Sequence, residues 1–141
     1  MSTNNRYTRL ASASELVVRI KGLQQILAAQ DLSGALIVQK ADLFYYTGTT
    51  QQGWLYVPVM GDPVFMVFKD LARAKAESGL EQIIGLISPK KIPDTLAGLG
   101  MPLPDKLGLE LDVMPANLYL MFGQIFSGAK IVDISTPIRL Q

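Results

Sequence analysis

Hydrophobic and polar positions along the chain follow two patterns, one typical of an amphipathic helix and one typical of buried strands. Near the start, apolar residues recur at three- and four-residue spacing, which places them on one helix face: Leu16, Ile20, Leu23 and Leu27. Ser12 and Glu15 precede them with the spacing of a capping box, in which each side chain accepts a hydrogen bond from a backbone N–H of the other residue. The pattern predicts a helix over 13–30.

Further hydrophobic runs predict strands that alternate with helices. Strands are predicted at 35–38, 54–60, 64–68, 82–87, 106–111 and 130–133, and helices at 70–78, 92–99 and 115–127, with one short helix after the first strand. Gly61 and Asp62 separate the second and third strands, as in a hairpin. The first strand is apolar throughout, so it belongs in the centre of a sheet. This order predicts an α/β domain with a mixed sheet of about six strands and helices on both faces.

Composition narrows the chemistry available to the chain. The absence of histidine and cysteine removes nucleophilic and zinc sites built on them, leaving carboxylate, lysine and tyrosine chemistry. Thirteen basic and 12 acidic side chains nearly balance, and no basic cluster exceeds Lys90-Lys91, so nucleic acid is not an expected partner. No run of apolar residues approaches the length of a membrane span, so we expect no membrane contact. No secretory signal follows Met1, so we expect a cytoplasmic protein.

Two carboxylates lie at the end of one predicted strand. Glu110 and Asp112 lie two residues apart and therefore on one face, where they could hold Mg²⁺ in a nuclease-like site if Asp42 or Asp133 joined them. The alternative is that such acids cap the next helix or face solvent. We favour the alternative, because 12 acids in 141 residues form such pairs by chance, and we expect no tight divalent metal site in this chain.

The richest local group of polar and aromatic residues precedes the hairpin. The loop residues Gln51, Gln52, Gly53 and Trp54, with Tyr56 beyond them, could meet a ligand, another subunit or an active site. Strand alternation places Trp54, Tyr56 and Met60 on one face, which either a partner or a helix of the same domain covers. For Tyr45 and Tyr46 we favour a short helix packed on the core, with Gly48 as its left-handed cap.

The last seven residues begin a helix that has only one turn. Ser135 and Pro137 are typical of a helix start, and Gln141 follows four residues later. Either this turn docks on the domain, or it begins a linker helix into a second domain that holds the chemistry. We expect the latter, with a polar tail at 1–12, one accessory domain at 13–134 and the start of a linker helix at 135–141.

Taken in order, several short motifs resemble the N-terminal domain of the creatinase, prolidase and aminopeptidase P family. The motifs are Glu15-Leu16 with Arg19-Ile20, 32–38, Tyr46-Thr47-Gly48 with Gly53, the Gly-Asp-Pro hairpin, 106–110, 128–130 and 132–135. The resemblance covers 14–139, nearly the whole chain. Thr49 departs from it, since an aromatic residue often follows the Thr-Gly pair.

The resemblance implies a ribonuclease-H-like fold and a role without catalytic or metal-binding residues in this chain. In such enzymes two divalent ions (Mn, Co or Zn), held by aspartate, glutamate and histidine, lie in the following catalytic domain. The N-terminal domain restricts substrates to short peptides and helps form a homodimer, and the hairpin region approaches the partner's active site. The expected parent is therefore an Xaa-Pro dipeptidase or aminopeptidase. A stand-alone small-ligand-binding module and a metal-dependent nuclease are the alternatives.

Overall fold

The computed structural model describes residues 11–141, so most of the expected tail at 1–12 lies outside the described residues. The helices are α1 (Ala13–Ala29), α2 (Lys40–Thr47), α3 (Leu71–Glu77), α4 (Ile92–Gly98), α5 (Ala116–Ile125) and α6 (Ser135–Arg139). The strands are β1 (Gly34–Ile37), β2 (Gly53–Pro58), β3 (Val64–Val67), β4 (Ile83–Gly85), β5 (Lys106–Leu109) and β6 (Lys130–Asp133). No helix within 11–141 is both long and apolar enough to cross a membrane.

The six strands form one mixed sheet in the order β4-β3-β2-β1-β5-β6. β1, β5 and β6 run parallel to one another, whereas β2 is antiparallel to both β1 and β3. The four residues of β1 are all buried and the strand lies inside the sheet, as its apolar sequence predicts. The predicted α/β class and the mixed sheet are confirmed.

Helices cover the sheet on both faces and create two separate hydrophobic cores. One core joins Ile37, Val57 and Phe65 of the sheet to residues of α1, α2, α3 and α6. The other joins Leu36, Tyr56 and Met66 to residues of α4 and α5. The two sets alternate along β1, β2 and β3, because successive side chains of a strand point to opposite faces.

The first helix begins at the predicted residue and ends one residue early, and the second has the predicted left-handed cap. Ser12 and Glu15 form the predicted capping box, and the four stripe residues of α1 are buried. Gly48 caps the end of α2 with φ 77° and donates its N–H to the carbonyl of Phe44. Tyr46 is buried in the first core, whereas Tyr45 is 37% exposed, so the predicted packing of α2 holds for one of its two tyrosines.

Of the two alternatives for the face of the second strand, the structure shows helices of the same domain covering Tyr56, while Met60 does not share that face. β2 ends at Pro58, so Met60 lies beyond the strand and its side chain is 83% exposed. Tyr56 is only 1% exposed, in the core with Ile92 and Phe122. α4 and α5 therefore cover this face of the sheet, and the Tyr56 side chain does not reach the surface. Trp54 is half-buried at the end of the same core.

The C-terminal helix α6 docks on α1 and α2. Ile138 is buried in the first core, and the Gln141 amide nitrogen donates to the backbone carbonyl of Arg19 at 3.0 Å. The Tyr46 hydroxyl donates to the side-chain oxygen of Gln141. The last turn is thus packed on the domain at three points.

Candidate functional site

Three parallel strands bring acidic residues to one edge of the sheet. Asp42 lies in the helix after β1, Glu110 directly follows β5, and Asp133 ends β6. Because parallel strands have their carboxyl ends at the same edge, these side chains lie near one another. Sequence analysis identifies all three residues as candidates, and the strand order explains why they lie close together.

Glu110 is the unusual member of this group. It is 5% exposed, and its Oε1 is buried without a hydrogen-bond partner among the described residues. Burial, together with a hydrogen bond and charge repulsion from Asp42, raises the pKa of Glu110 to about 9, although the positive charge of Arg139 opposes this shift. This environment therefore favours the protonated form of Glu110.

The other acids at this edge have partners. Asp133 accepts hydrogen bonds from the backbone N–H groups of Leu111 and Ser135 at 3.1 and 3.0 Å. The Ser135 hydroxyl also donates to it, and this bond is the main cause that lowers the pKa of Asp133. Asp112 pairs with the Arg139 guanidinium. Asp133 thus joins the turn after β5 to the start of α6, and Asp112 joins that turn to the end of α6.

These contacts leave a small cavity at the edge of the sheet. It has a volume of about 180 Å³ and is lined by Gln39, Asp42, Glu110, Asp112, Ser135 and Arg139, among others. Sequence analysis missed Gln39, Ser135 and Arg139 as members of this site. The position of Ser135 in the sequence indicates a helix start, but nothing in its spacing indicates that α6 lies against this edge.

The acidic edge does not form a metal centre. Within residues 11–141, no three acidic side chains are arranged to hold a metal ion, and the chain has no histidine. The described residues therefore offer no site for a pair of divalent ions, which the resemblance places in the following catalytic domain. The Glu110–Asp112 nuclease alternative loses its geometric basis, because Asp112 is paired with Arg139.

The predicted loop borders a second, more open cavity of about 370 Å³. Lys40, Gln52, Gly53, Trp54, Phe68 and Leu118 are among its lining residues. Trp54 and Phe68 make an edge-to-face contact with ring centroids 6.2 Å apart. Gln52 is exposed and Gln51 is half-buried. The structure thus brings together Gln52, Gly53 and Trp54, with Gln51 next to them in the chain, but not Tyr56, which faces the core.

The fold and both cavities can now be compared with known proteins. A family model described as the creatinase/prolidase N-terminal domain matches residues 19–141. The chain belongs to this family. No curated protein sequence matches the chain.

Solved structures of creatinase/prolidase N-terminal domains have the same fold. The domain of an X-Pro dipeptidase from Streptococcus pyogenes has a TM-score of 0.73 at 18% identity, over 88% of this chain and 98% of that one. The N-terminal domain of the cytoplasmic peptidase PepQ from Mycobacterium tuberculosis has a TM-score of 0.70 at 20% identity, over 87% and 97% of the two chains. For an Xaa-Pro dipeptidase from Bacillus anthracis the TM-score is 0.74 at 16% identity, but the match covers 87% of this chain and only 34% of that one.

The residues that carry the creatinase/prolidase resemblance have structural contacts in this domain. Thr47 donates its hydroxyl to the carbonyl of Leu43 at 2.6 Å, and its own carbonyl accepts from the Ser78 hydroxyl. Thr49, the departure from the family pattern, is buried and donates to Glu77 at 2.6 Å. The Tyr46-Thr47-Gly48 segment therefore joins α2 to α3 and α6, and it lines neither of the two cavities.

Proposed function

We propose that this chain is the non-catalytic N-terminal domain of a proline-directed peptidase that depends on two divalent metal ions in another domain. The observation that carries the proposal is the family match over 19–141 in a chain whose described residues have no group that could hold a metal. The match to only 34% of the B. anthracis dipeptidase chain supports a parent that is about three times longer. We place this parent in the cytoplasm, like the M. tuberculosis relative.

Within that parent, the domain would restrict substrate access and support a homodimer. The surface that best suits these roles is the second cavity, with the half-buried Trp54 and the exposed Gln52 at its rim. Aromatic side chains at a partly open groove are suited to contact with a partner, because they bury a large apolar area with few torsions. Tyr56 supports this surface from the core side, because it packs β2 against α4 and α5.

The proposal is tested by activity in two forms of the protein. We expect the isolated chain not to hydrolyse Xaa-Pro dipeptides with Mn²⁺, Co²⁺ or Zn²⁺, whereas the product of the complete natural gene hydrolyses them. Turnover by the repurified isolated chain that a point mutation in it abolishes would contradict the proposal. So would a natural gene that ends after the codon for Gln141.

The composition of the second cavity favours one alternative, a stand-alone module that binds a small ligand there. The cavity of about 370 Å³ combines apolar walls with Lys40 and Gln52, and ligand pockets often have this composition. A saturable change of Trp54 fluorescence with metabolite fractions would support it. The nuclease alternative would need stoichiometric Mg²⁺ binding, measured by calorimetry, that Glu110→Gln removes.

A further inference from the structure

The small cavity at the edge of the sheet, lined by Glu110 and Asp42, contains a carboxyl oxygen that accepts no hydrogen bond from the described residues. Glu110 is 5% exposed and lines the cavity, and its Oε1 has no hydrogen-bond partner among the described residues. The hydrogen bond with Asp42 places a proton between the two carboxyls, so the unused capacity of Glu110 is that of an acceptor. A buried acceptor without a donor is unfavourable. Because the terminal torsion of a glutamate side chain is soft, Oε1 can rotate to accept a hydrogen bond from a group in the cavity.

The charges around this acceptor favour a cation over a neutral or anionic donor. The titratable groups that face Glu110 come from each element packed on it: Asp42 and Tyr46 from α2, Asp112 after β5, Asp133 from β6 and Arg139 from α6. Arg139 is the only basic member, and it is already paired with Asp112. A divalent metal ion is a poor occupant, since no three ligands converge within 11–141.

We propose that this cavity binds a small organic cation, a guanidinium or primary ammonium group, which donates hydrogen bonds to the carboxyls of Glu110 and Asp42. The cavity of about 180 Å³ exceeds the volume of one water, about 30 Å³ in the liquid, so it has room for such a head group. The group can belong to a free molecule or to a basic side chain of another protein segment. The inference does not depend on the parent being a peptidase.

Binding of a cation and loss of a proton are coupled at this site. A positive charge beside Glu110 favours its ionised form and displaces the proton that it shares with Asp42. Affinity therefore increases as the pH rises from 5 to 8, and binding at pH 7 releases up to one proton. Water alone in the cavity would produce neither effect.

The experiment follows the Glu110 carboxyl carbon by NMR in protein with ¹³C-labelled glutamate, assigned with Glu110→Gln. Methylguanidinium is the probe, and methylurea is its neutral counterpart. We expect saturable methylguanidinium binding that moves the Glu110 titration to lower pH, with no effect of methylurea. Glu110→Gln should weaken binding by about tenfold or more, since it removes a charge-assisted bond, whereas Glu81→Gln, on an exposed glutamate outside this cavity, should leave it unchanged.

A second arm separates the two sources of the cation and guards against a variant that does not fold. A blocked peptide with one arginine is compared with free methylguanidinium: stronger binding of the peptide assigns the cavity to a protein side chain, and stronger binding of the small ion to a free ligand. Calorimetry of the unmodified chain in two buffers counts the proton released. Failure of both probes to bind would overturn the proposal. A Glu110 carboxyl that is already ionised at neutral pH would also overturn it, because Arg139 would then be its partner.

Discussion

Among single residues, Glu110 shows how position changes chemistry without a change of sequence. A glutamate in solution is ionised at neutral pH, but burial next to Asp42 raises the pKa of Glu110 to about 9. Asp133 at the end of the neighbouring strand has a lowered pKa, because three donors surround it. Burial and the neighbouring Asp42 favour the protonated form of Glu110, whereas the donated hydrogen bonds favour the ionised form of Asp133.

Replacement of Glu110 by glutamine should stabilise the domain, and more so as the pH rises. In the unfolded chain the group titrates near 4.5 and in the folded chain near 9. The folded state therefore holds an extra proton between these values, and the free energy of unfolding decreases as the pH rises through this window. Glu110→Gln removes that loss, so the free energy of unfolding of the variant should exceed that of the wild type by an amount that grows between pH 5 and pH 9, with no advantage near pH 4.

Urea unfolding of both proteins from pH 4 to 9 measures this difference. Glu81→Gln serves as the control, because Glu81 is exposed, and it should follow the wild type at every pH. A Glu110→Gln variant that is less stable than the wild type at pH 8 would show that the ionised carboxylate has a partner in solution.

Among the elements, the sheet shows which features local sequence can predict. The order of helices and strands, the capping box of α1, the Gly48 cap and the central place of β1 follow from nearest-neighbour patterns, and each is found in the structure. The burial of Tyr56 was not predictable in this way, because it depends on α4 and α5, which come much later in the chain. The contact of Arg139 with Asp112 depends in the same way on the docking of α6.

The close contact between β2 and β3 leaves no room for a side chain at Gly53. A Cβ on Gly53 would overlap the backbone carbonyl of Met66, whereas a Cβ on Gly123 in α5 meets nothing within 4 Å. We expect Gly53→Ala to lower the free energy of unfolding by about 1–3 kcal/mol. Gly123→Ala should raise it by about 0.5–1 kcal/mol, since alanine loses less backbone entropy in a helix. Thermal unfolding of both variants tests this, and equal effects would contradict the tight strand pairing.

The two aromatic residues of β2 should differ in how much each contributes to folding stability and to contact with a partner. Trp54 is half-buried at the cavity rim and Tyr56 is fully buried. Tyr56→Ala should cost about 3–5 kcal/mol of folding stability, as for other core aromatics, and Trp54→Ala less. In the metal-dependent homodimeric parent proposed above, Trp54→Ala should raise KM or weaken the dimer and leave the metal content unchanged. A large loss of stability in Trp54→Ala without any change in sedimentation would reject the interface role.

For the whole molecule, the docking of α6 decides whether the last residues belong to the domain. Ile138 is 6% exposed within the first core, and Leu140, two residues later, is 83% exposed. Because Ile138 packs in this core, Ile138→Ala should destabilise the domain by about 2–5 kcal/mol. Leu140→Ala should change the stability by no more than about 0.5 kcal/mol.

Chemical unfolding of the two α6 variants makes this comparison. Similar small effects would mean that α6 detaches in solution and acts as a linker, as we expected from the sequence. An intermediate result, in which Ile138→Ala costs less than about 1 kcal/mol, would indicate partial detachment.

The pairing of β1 also sets the order in which the chain can fold. Its antiparallel neighbour β2 follows it closely in the sequence, so the β1–β2 pair can form early. The parallel neighbour β5 arrives only after a long loop closes: Asp105, before β5, bonds to Ser33, 72 residues earlier. Until that loop closes, an apolar strand edge of β1 stays unpaired, and such edges recruit strands from other chains. The same strand that centres the finished sheet is thus the point at which the half-folded chain is most prone to aggregate.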